Sequence, residues 1–434
     1  MPESNSIQGG GCLMEQNNMI TPQRIAVIGS GAAGLTTTHL LQQKHQVTLF
    51  EASNRIGGHT NTITLQKGPD AGLKIDTGFI VMNHRNYPLL TKLFTSLNVP
   101  LQDSNMSFGY HDLPSGLQYC GSGLSGLFAQ RKNLIHPRFH RLIKEVLRFF
   151  STASQDASSG LHPDETLGAY LKRNHFSQDF IDHHLIPMGS AIWSTPCEEM
   201  MAFPAQSFMN FFKNHGLLGI KDRPQWRTVK GGSCTYIDLM QKQWENVTII
   251  PNARIDHIQR INGGIEIQRI GKIETFDHVV IATHADQALD LLADPDQTEQ
   301  STLGAWRYAR SKTYLHSDSS VMPPLRRVWS SWNFQRINGN RTALTYHMNR
   351  LQNLPTQTDY FVSLEPPHPP NYIHYEINYE HPMFTQAAVS KRPQLQAANG
   401  QRNTWFAGAY LGNGFHEDAV RSGIKVAEKL GVRL

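Results

Sequence analysis

Residues 24–51 constrain the fold more than any other part of this chain. A short apolar run at 25–28 predicts a buried parallel strand, and residues 32–43 predict a helix. A second apolar strand, 47–50, follows and ends at Glu51. Strand, crossover helix and strand in this order form a βαβ unit, which places the chain among proteins built on a parallel sheet.

The turn between the first strand and the helix carries a glycine fingerprint. Its three glycines give the pattern G-x-G-x-x-G: Gly29, Gly31 and Gly34. The first permits a tight turn, the second lets the backbone approach a diphosphate, and the third lets helix and sheet pack closely. The helix start at Ala32 and Ala33 offers free N–H groups and a positive dipole end to phosphates. Glu51, 22 residues beyond the first glycine, is placed to accept hydrogen bonds from ribose hydroxyls, so the segment predicts a dinucleotide site.

The residues after Glu51 indicate which dinucleotide binds. They continue as E-x-x-x-R-x-G-G, followed by a histidine: Ala52, Arg55, Gly57, Gly58 and His59. This continuation resembles that of FAD enzymes in the flavin-containing amine oxidase superfamily, which includes protoporphyrinogen oxidases and phytoene-desaturase-like proteins. The resemblance implies FAD, with the arginine and the glycine pair leading the chain along the diphosphate toward the flavin. The usual residue after the pair is a second arginine, so His59 weakens one charge contact and argues against a typical amine oxidase.

Two distant segments resemble further parts of the same superfamily. Residues 228–233 contain a second glycine pair before an amphipathic run, and apolar segments at 247–250, 254–255 and 278–283 predict more strands. The segment 405–423 resembles the closing flavin motif before the final helix. The cofactor contacts that these segments imply lie near the adenosine end or at the flavin: Ile255, Gly408, Ala409, His416, Asp418 and Ala419.

The resemblance extends over nearly the whole chain beyond residue 23. Its most specific parts are IWSTP, FFKNHGLL, RPQWRTVKGGS and GNGFHEDAVRSG. They resemble a subgroup of predicted NAD/FAD-binding oxidoreductases associated with cyclopropane-fatty-acid-synthase-like methyltransferases. The implied fold class is α/β, with a Rossmann-like FAD-binding domain of glutathione-reductase type interleaved with a mixed α+β substrate domain.

The predicted domains follow from the spacing of these motifs. The FAD-binding domain comprises residues 24–77, 223–294 and 394–434, and the substrate-binding domain comprises 78–222 and 295–393. Residues 1–23 are expected to form a disordered tail. The first insert is mostly helical in pattern, for example at 138–150. The second insert is rich in aromatic and β-forming residues, at 328–329, 343–346 and 372–377, and predicts a sheet that forms one wall of a pocket.

Three residues are candidates for a catalytic role: His416, Trp226 and Trp193. His416 falls inside the closing flavin motif, where it either assists proton transfer near the ring or caps the final helix. Trp226 precedes the second glycine pair and either packs on the flavin or closes the pocket. For each tryptophan, ordinary core packing is the competing interpretation.

Composition narrows the function classes. The chain has 434 residues, 39% hydrophobic and 17% charged, with a net charge of +5, and it has no dense Lys/Arg block, which argues against nucleic-acid binding. Its four scattered cysteines include no C-x-x-C pair, so we expect no metal site and a reducing, cytoplasmic compartment. No apolar run approaches the ~18 residues of a membrane-spanning helix. The mild positive charge fits peripheral contact with an anionic membrane surface.

These observations predict an FAD-dependent oxidoreductase. The expected reaction transfers a hydride from a hydrophobic substrate, with a lipid acyl chain as the hypothesis, to flavin N5, followed by reoxidation by oxygen or another acceptor. Two alternatives stay open. One is an amine oxidase acting on a small amine, and the other is a flavoprotein with structural FAD that serves as the partner of a lipid methyltransferase.

Overall fold

The computed structural model describes residues 21–162, 164–193, 195–219, 223–339 and 341–434. Of the tail predicted to be disordered, residues 1–20 lie outside the described residues. The described chain forms two main sheets, and helices pack against both.

Five parallel strands form the first sheet, which we call the nucleotide sheet. In spatial order its strands are Thr404–Phe406, His278–Ile281, Arg24–Ile28, Gln46–Phe50 and Val247–Ile250. Ile25 pairs with Val47 on one side and with His278 on the other, all in parallel register. The chain leaves the central strand in one direction and returns later on its other side. The carboxyl end of that strand, where the glycine fingerprint begins, is therefore the switch point at which such sheets bind ligands.

Four helices share the buried core of the nucleotide sheet: Ala32–Leu41, Pro88–Ser96, Cys234–Gln241 and His416–Lys429. The first and last of these pack closely because Gly423 has no side chain; a Cβ there would lie 2.7 Å from the carbonyl oxygen of Ala33. Glu417 caps the helix Pro88–Ser96 by accepting hydrogen bonds from the backbone N–H groups of Leu89 and Leu90, at 3.1 and 2.9 Å. The predicted boundaries assigned residues 88–96 to the other domain, and those boundaries stay a prediction.

Three smaller antiparallel sheets accompany the two main sheets among the described residues. The strands His257–Ile261, Gly264–Arg269 and Lys272–Phe276 form one unit, and two strand pairs complete the set: Thr62–Thr64 with Lys74–Asp76, and Leu101–Ser104 with Trp226–Val229. Residues 254–255, predicted as a strand, lie in an irregular segment. That segment nevertheless borders the nucleotide sheet, because the backbone N–H of Ala253 donates to the carbonyl of Glu51 at 2.8 Å.

Seven strands form the second sheet, which we call the wall sheet. In spatial order they are Ile373–Pro382, Tyr308–His316, Phe361–Leu364, Arg341–His347, Trp332–Asn338, Phe108–Asp112 and Leu117–Cys120. All pairs are antiparallel except that Phe108–Asp112 runs parallel to Trp332–Asn338. The sheet predicted for the second insert is confirmed, although residues 328–329 lie outside it, at the end of the 3₁₀ turn Arg326–Val328.

The first insert is mostly helical, as predicted. Besides Pro88–Ser96, its helices are Gly123–Leu127, Pro137–Ser159, Leu167–Arg173, Gln178–Phe180, Ile186–Trp193, Cys197–Met200 and Ala205–Asn214, with a π-helical turn at Ile181–Leu185 and a 3₁₀ turn at Arg131–Leu134. Four more helices lie in the rest of the chain: Ala285–Leu291, Gln297–Leu303, Met348–Leu351 and Gln386–Ala398. Within the described segments, no helix has both the length and the apolar character needed to cross a bilayer. The predicted α/β fold class, a Rossmann-like domain with a mixed α+β domain, is confirmed.

Candidate cofactor and substrate site

A cavity of about 1750 Å³ is lined by residues of both main sheets and of the helical insert. Its lining includes the glycine turn and Glu51 at the nucleotide sheet, then His59, Ala409 and His416, and it ends among apolar side chains of the helical insert. Single-ligand pockets usually measure about 300–1,000 Å³. This cavity therefore has room for a dinucleotide and for a second molecule beside it.

The three fingerprint glycines have different surroundings. Gly29 has a φ of +94°, and a Cβ there would lie 2.9 Å from the carbonyl oxygen of Ala282. A Cβ on Gly34 would collide with the carbonyl oxygen of Gly29, so this glycine shapes the turn without lining the cavity. A Cβ on Gly31 would meet no atom within 4 Å and would project into open space. With the helix N-terminus at Ala32 and Ala33 also lining the cavity, this is a cradle that suits a diphosphate.

Glu51 is held at the nucleotide end of the cavity by three donors. Ser30 donates to its Oε2 through the backbone N–H at 3.0 Å and through the hydroxyl at 2.5 Å. The backbone N–H of Ser53 donates to Oε1 at 2.9 Å. Ala52 and Ile255 line the cavity beside this carboxylate. The arrangement suits recognition of a ribose next to an adenine, as the sequence predicted.

The glycine pair packs directly on the glycine turn. Gly57 has a φ of +126° and donates its N–H to the carbonyl of Ser30 at 3.0 Å. A Cβ on Gly58 would lie 3.0 Å from the Cα of Gly31. Arg55 lines the cavity and holds this loop by donating to the carbonyls of Gly58 and Thr60, at 2.8 and 3.2 Å. Gly57 does not line the cavity, and its role is to let the loop turn.

His59 belongs to a group of rings beside this loop. It stacks on Tyr379, with ring centroids 4.9 Å apart, and meets the edge of His381 at 5.0 Å. Burial lowers the pKa of His59 well below its ordinary value and that of His381 to about 4. Nε2 of His59 and Nδ1 of His381 are buried without a hydrogen-bond partner among the described residues. Leaving a buried polar atom without a partner costs about 1–3 kcal/mol of stability. A polar ligand in the cavity would supply such partners, and FAD is a ligand of this kind.

His416 lines the cavity together with Gly408, Ala409 and Ala419, beside the start of the final helix. Its Nε2 lies 3.1 Å from the hydroxyl of Thr60 and 3.2 Å from that of Tyr236. The ring stacks on Phe79 with centroids 3.7 Å apart, and burial lowers its pKa to about 3. His416 is therefore a neutral hydrogen-bonding group at neutral pH. The side chain bonds these hydroxyls instead of capping the final helix.

Asp418, expected to contact the cofactor, does not line the cavity. Its Oδ2 accepts a hydrogen bond from the backbone N–H of Phe415 at 3.2 Å, and its Oδ1 accepts one from Arg421 at 2.7 Å. The carboxylate thus caps the final helix from behind the cavity. Asp418 therefore stabilises the final helix and does not make the predicted contact with the cofactor.

The two candidate tryptophans occupy different places. Trp226 lines the cavity and lies 6.2 Å from the ring of His215, with the two rings nearly parallel. His215 in turn stacks on Phe211 at 3.7 Å, and Phe211 stacks on Phe415 at 4.7 Å, so an aromatic wall leads to the flavin motif. Trp193 is buried behind this wall, 4.7 Å from Phe211, and does not line the cavity. The geometry supports a pocket role for Trp226 and core packing for Trp193.

Sequence reasoning missed several site residues. Phe79, Tyr379, His381 and His284 line the cavity, yet each comes from a segment without a recognisable motif. Histidines are frequent around the site, but among the residues that the structure describes no group of three or more His, Cys, Asp or Glu is placed to hold a metal ion. For Tyr379 and His381, the density of histidine and tyrosine in residues 374–381 was an available signal.

Asp76 is the most consequential residue that was missed. This buried carboxylate accepts hydrogen bonds from the hydroxyl of Thr62 at 2.5 Å, the backbone N–H of Ser233 at 2.8 Å and the side-chain amide of Gln352 at 2.9 Å. Burial raises the pKa of Asp76 to about 6, against the effect of these donors. The side chain thereby joins the strand Thr62–Thr64, the segment of the second glycine pair and Gln352, which directly follows the helix Met348–Leu351.

Replacing Asp76 with alanine is expected to lower the free energy of unfolding by about 3 kcal/mol, because it leaves several buried donors without an acceptor. Thermal and urea unfolding of the apoprotein would measure the loss. Asp238→Ala, at an exposed site on the helix Cys234–Gln241, is the matched control and should change stability by less than about 0.5 kcal/mol. Equal effects of the two substitutions would show that Asp76 is not an anchor.

Comparison with known proteins places this geometry in context. The family model described as flavin containing amine oxidoreductase matches residues 32–319. An L-amino-acid oxidase of Siganus canaliculatus is 23% identical over 355 residues, which are 78% of this chain and 63% of that protein. This chain spans less than two thirds of the length of the first curated relatives that it matches.

Two solved structures share the architecture. Cyclohexylamine oxidase from Brevibacterium oxydans superposes with a TM-score of 0.68 at 15% identity, over 94% of this chain and 98% of that one. The CLA-producing fatty acid isomerase from P. acnes gives a TM-score of 0.64 at 15% identity, over 94% of this chain and 99% of that one. At these identities the likeness shows the fold alone.

Proposed function

Since this chain belongs to the flavin-containing amine oxidoreductase family and is an FAD-dependent oxidoreductase, we propose that its substrate is a hydrophobic molecule with a lipid acyl chain. The observation that carries the proposal is the apolar end of the cavity. Its lining includes aliphatic and aromatic side chains from two helices: Phe139, Leu142, Ile143, Val146, Met188 and Ile192. A long apolar compartment stabilises an acyl chain by removing it from water.

The distribution of charge in the cavity favours an acyl chain over a small amine. The carboxylates that line the cavity among the described residues are Glu51, Asp256, Asp290 and Glu380. None of them comes from the helical insert that supplies the apolar end. An ammonium group buried there would lose its hydration without gaining a counter-ion, which is costly. The P. acnes protein with the same fold is named a fatty acid isomerase. An acyl substrate for this chain agrees with that name.

The chemistry that FAD supplies when bound is acceptance of a hydride at N5 from a substrate C–H bond. The apolar end binds the acyl chain and excludes water, while Trp226 and His215 close one side of the cavity. The hydroxyls of Thr60 and Tyr236 fix the neutral ring of His416 at the start of the final helix. That helix N-terminus opens onto the cavity, which His416 and Ala419 line, and its positive dipole end would stabilise negative charge on bound FAD.

The assignment of individual residues is part of the proposal. Cofactor contacts are proposed for the predicted residues that line the cavity: Gly29, Gly31, Ala32, Ala33, Glu51, Ala52, Arg55, Gly58, His59, Ile255, Gly408, Ala409, His416 and Ala419. The methyltransferase partner, the cytoplasmic location and peripheral membrane contact stay predictions, as does the alternative of an amine oxidase.

A series of acyl substrates of increasing length tests the proposal. Each added methylene that enters the apolar end is expected to strengthen binding about fourfold, because burying a CH₂ group contributes ~0.8 kcal/mol. Perturbation of the flavin absorbance under anaerobic conditions would measure the affinities. Val146→Trp should shorten the longest chain that binds while leaving short chains and FAD unaffected. Tight binding of small amines with no dependence on acyl length would contradict the proposal.

A further inference from the structure

We propose that the surface around the mouth of the apolar end docks onto an anionic lipid bilayer. We call it the docking surface and define it by four exposed apolar and four exposed cationic side chains: Leu124, Leu134, Ile135, Leu147, Arg131, Lys132, Arg141 and Lys144. The docking surface is defined by its exposed residues, whatever the substrate is. Only the passage of an acyl chain from the bilayer into the cavity rests on the proposed function.

The apolar members are unusually exposed for large aliphatic residues. Ile135 is 86% exposed and Leu124 is 75% exposed, while Leu134 and Leu147 are each about half exposed at 49% and 48%. Single exposed leucines are ordinary, but several on adjoining elements mark a site of interaction with a protein or a membrane.

The elements that carry these residues are joined into one face. The ring of Phe128, directly after the helix Gly123–Leu127, packs on Phe139 of the helix Pro137–Ser159 at 5.8 Å. His140 of the same helix bonds the carbonyl of Leu134 through Nε2 at 2.8 Å, which fixes the 3₁₀ turn Arg131–Leu134 beside it.

The cavity opens within this face. Leu124 and Leu147 both line the cavity and are exposed to solvent, so they border its mouth. Between them and the nucleotide sheet lies the apolar end that we assign to an acyl chain. A mouth bordered by aliphatic side chains allows a chain to pass from a bilayer into the cavity without crossing water.

Charge favours an anionic bilayer as the occupant. Residues 123–148 contain six Lys and Arg side chains and one carboxylate. Arg138 pairs with Asp179, and Arg148 pairs with Glu145 at 3.2 Å. The other four, Arg131, Lys132, Arg141 and Lys144, are exposed, and Arg141 also helps to lower the pKa of the Asp179 carboxyl. Cations around a set of aliphatic side chains match phosphate headgroups above acyl tails.

Co-sedimentation of the full chain with vesicles tests the proposal. We expect binding to vesicles containing phosphatidylglycerol and weaker binding to vesicles of phosphatidylcholine alone. Arg131→Glu with Lys132→Glu should reduce binding to the anionic vesicles by more than about twentyfold, since each cation near such a surface contributes about fivefold. Leu134→Ser with Ile135→Ser should also reduce it. Ile270→Ser with Ile273→Ser, at sites 74% and 63% exposed, is the matched control and should bind as the unaltered chain does, because the hairpin of Gly264–Arg269 and Lys272–Phe276 carries no part of the docking surface.

The outcomes separate this proposal from the proposed function. Absence of vesicle binding, equal binding to both vesicle types, or undiminished binding by the charge-reversal variant would overturn the docking surface, even if acyl chains dispersed in detergent still reduce the flavin. A chain that engages only a protein partner and no vesicles would overturn it as well. The protein could also bind vesicles although no acyl substrate reduces its flavin. That result would support the docking surface and overturn the proposed function.

Discussion

Gly31→Val is expected to weaken FAD binding by at least about a hundredfold while leaving the stability of the apoprotein unchanged. The backbone at Gly31, with φ −66° and ψ 179°, is one that any residue adopts, and a Cβ there meets no protein atom within 4 Å. The added side chain would instead occupy the space assigned to the diphosphate and displace it from the helix N-terminus. Loss of two charge-assisted hydrogen bonds, at about 1.5 kcal/mol each, corresponds to this factor.

Gly34→Ala separates cofactor binding from folding. A Cβ at Gly34 would collide with the carbonyl oxygen of Gly29, so the helix and the turn must move apart. We expect the apoprotein to lose about 1–3 kcal/mol of stability. Fluorescence titration with FAD and thermal unfolding of both apoproteins would distinguish the two effects. Normal FAD affinity in Gly31→Val would refute the placement of the diphosphate.

Acidification from about pH 7.5 to about pH 5 is expected to destabilise the protein strongly, because many histidines are buried or half-buried and are held in the neutral state. Burial lowers the pKa of five of them to about 3–4: His184, His215, His316, His381 and His416. In the unfolded chain a histidine takes up a proton near pH 6.5. The stability contributed by each neutral ring is therefore complete above about pH 6.5 and is lost as the pH falls toward 4.

His316 shows why its ring resists protonation. It is fully buried, its Nδ1 accepts a hydrogen bond from the backbone N–H of Asp318 at 3.1 Å, and its Nε2 donates to the hydroxyl of Ser363 at 2.8 Å. A proton on Nδ1 would break the first of these bonds. Each such histidine adds up to about 1.4 kcal/mol per pH unit to the slope of stability. Asp76 has the opposite effect on stability, because its raised pKa favours the folded state as the pH falls. The effect of this single carboxyl is smaller than that of the several histidines together.

Urea unfolding at a series of pH values would measure this slope. His316→Gln should reduce the slope by close to one proton, although the substitution itself lowers stability at every pH. His136→Gln, at an exposed position, is the matched control for the loss of a histidine. A flat profile between pH 7.5 and pH 5 would contradict the burial of these rings in the neutral state.

The sequence predicted those parts of the fold that depend on local patterns. The strand, glycine turn, helix and acid of residues 24–51 are adjacent in the chain, and each has a signal that follows from backbone geometry. The helices of the first insert and the strands of the second also depend on local patterns, and the sequence predicts a mostly helical first insert and a sheet in the second. The parallel pairing of Phe108–Asp112 with Trp332–Asn338 joins segments more than 200 residues apart, and no local pattern reports it.

The candidate site shows the same limit. The glycine motifs could be recognised because their spacing has a physical meaning, and most of their residues line the cavity. Asp76, Tyr379 and His381 were missed because each acts only after distant segments have packed together. Trp193 was overestimated for the converse reason: a conspicuous tryptophan in an apolar segment does not reveal whether its ring faces a cavity or a core.

The most direct measurement is the visible absorbance spectrum of the purified full chain, before and after anaerobic addition of membrane lipid. Flavin bands should bleach when lipid with long acyl chains is added and should return when air is admitted. Flavin bands that persist with every acyl substrate but bleach with small amines would contradict the acyl-chain assignment. A protein without flavin bands, to which added FAD restores none, would contradict the binding of FAD itself.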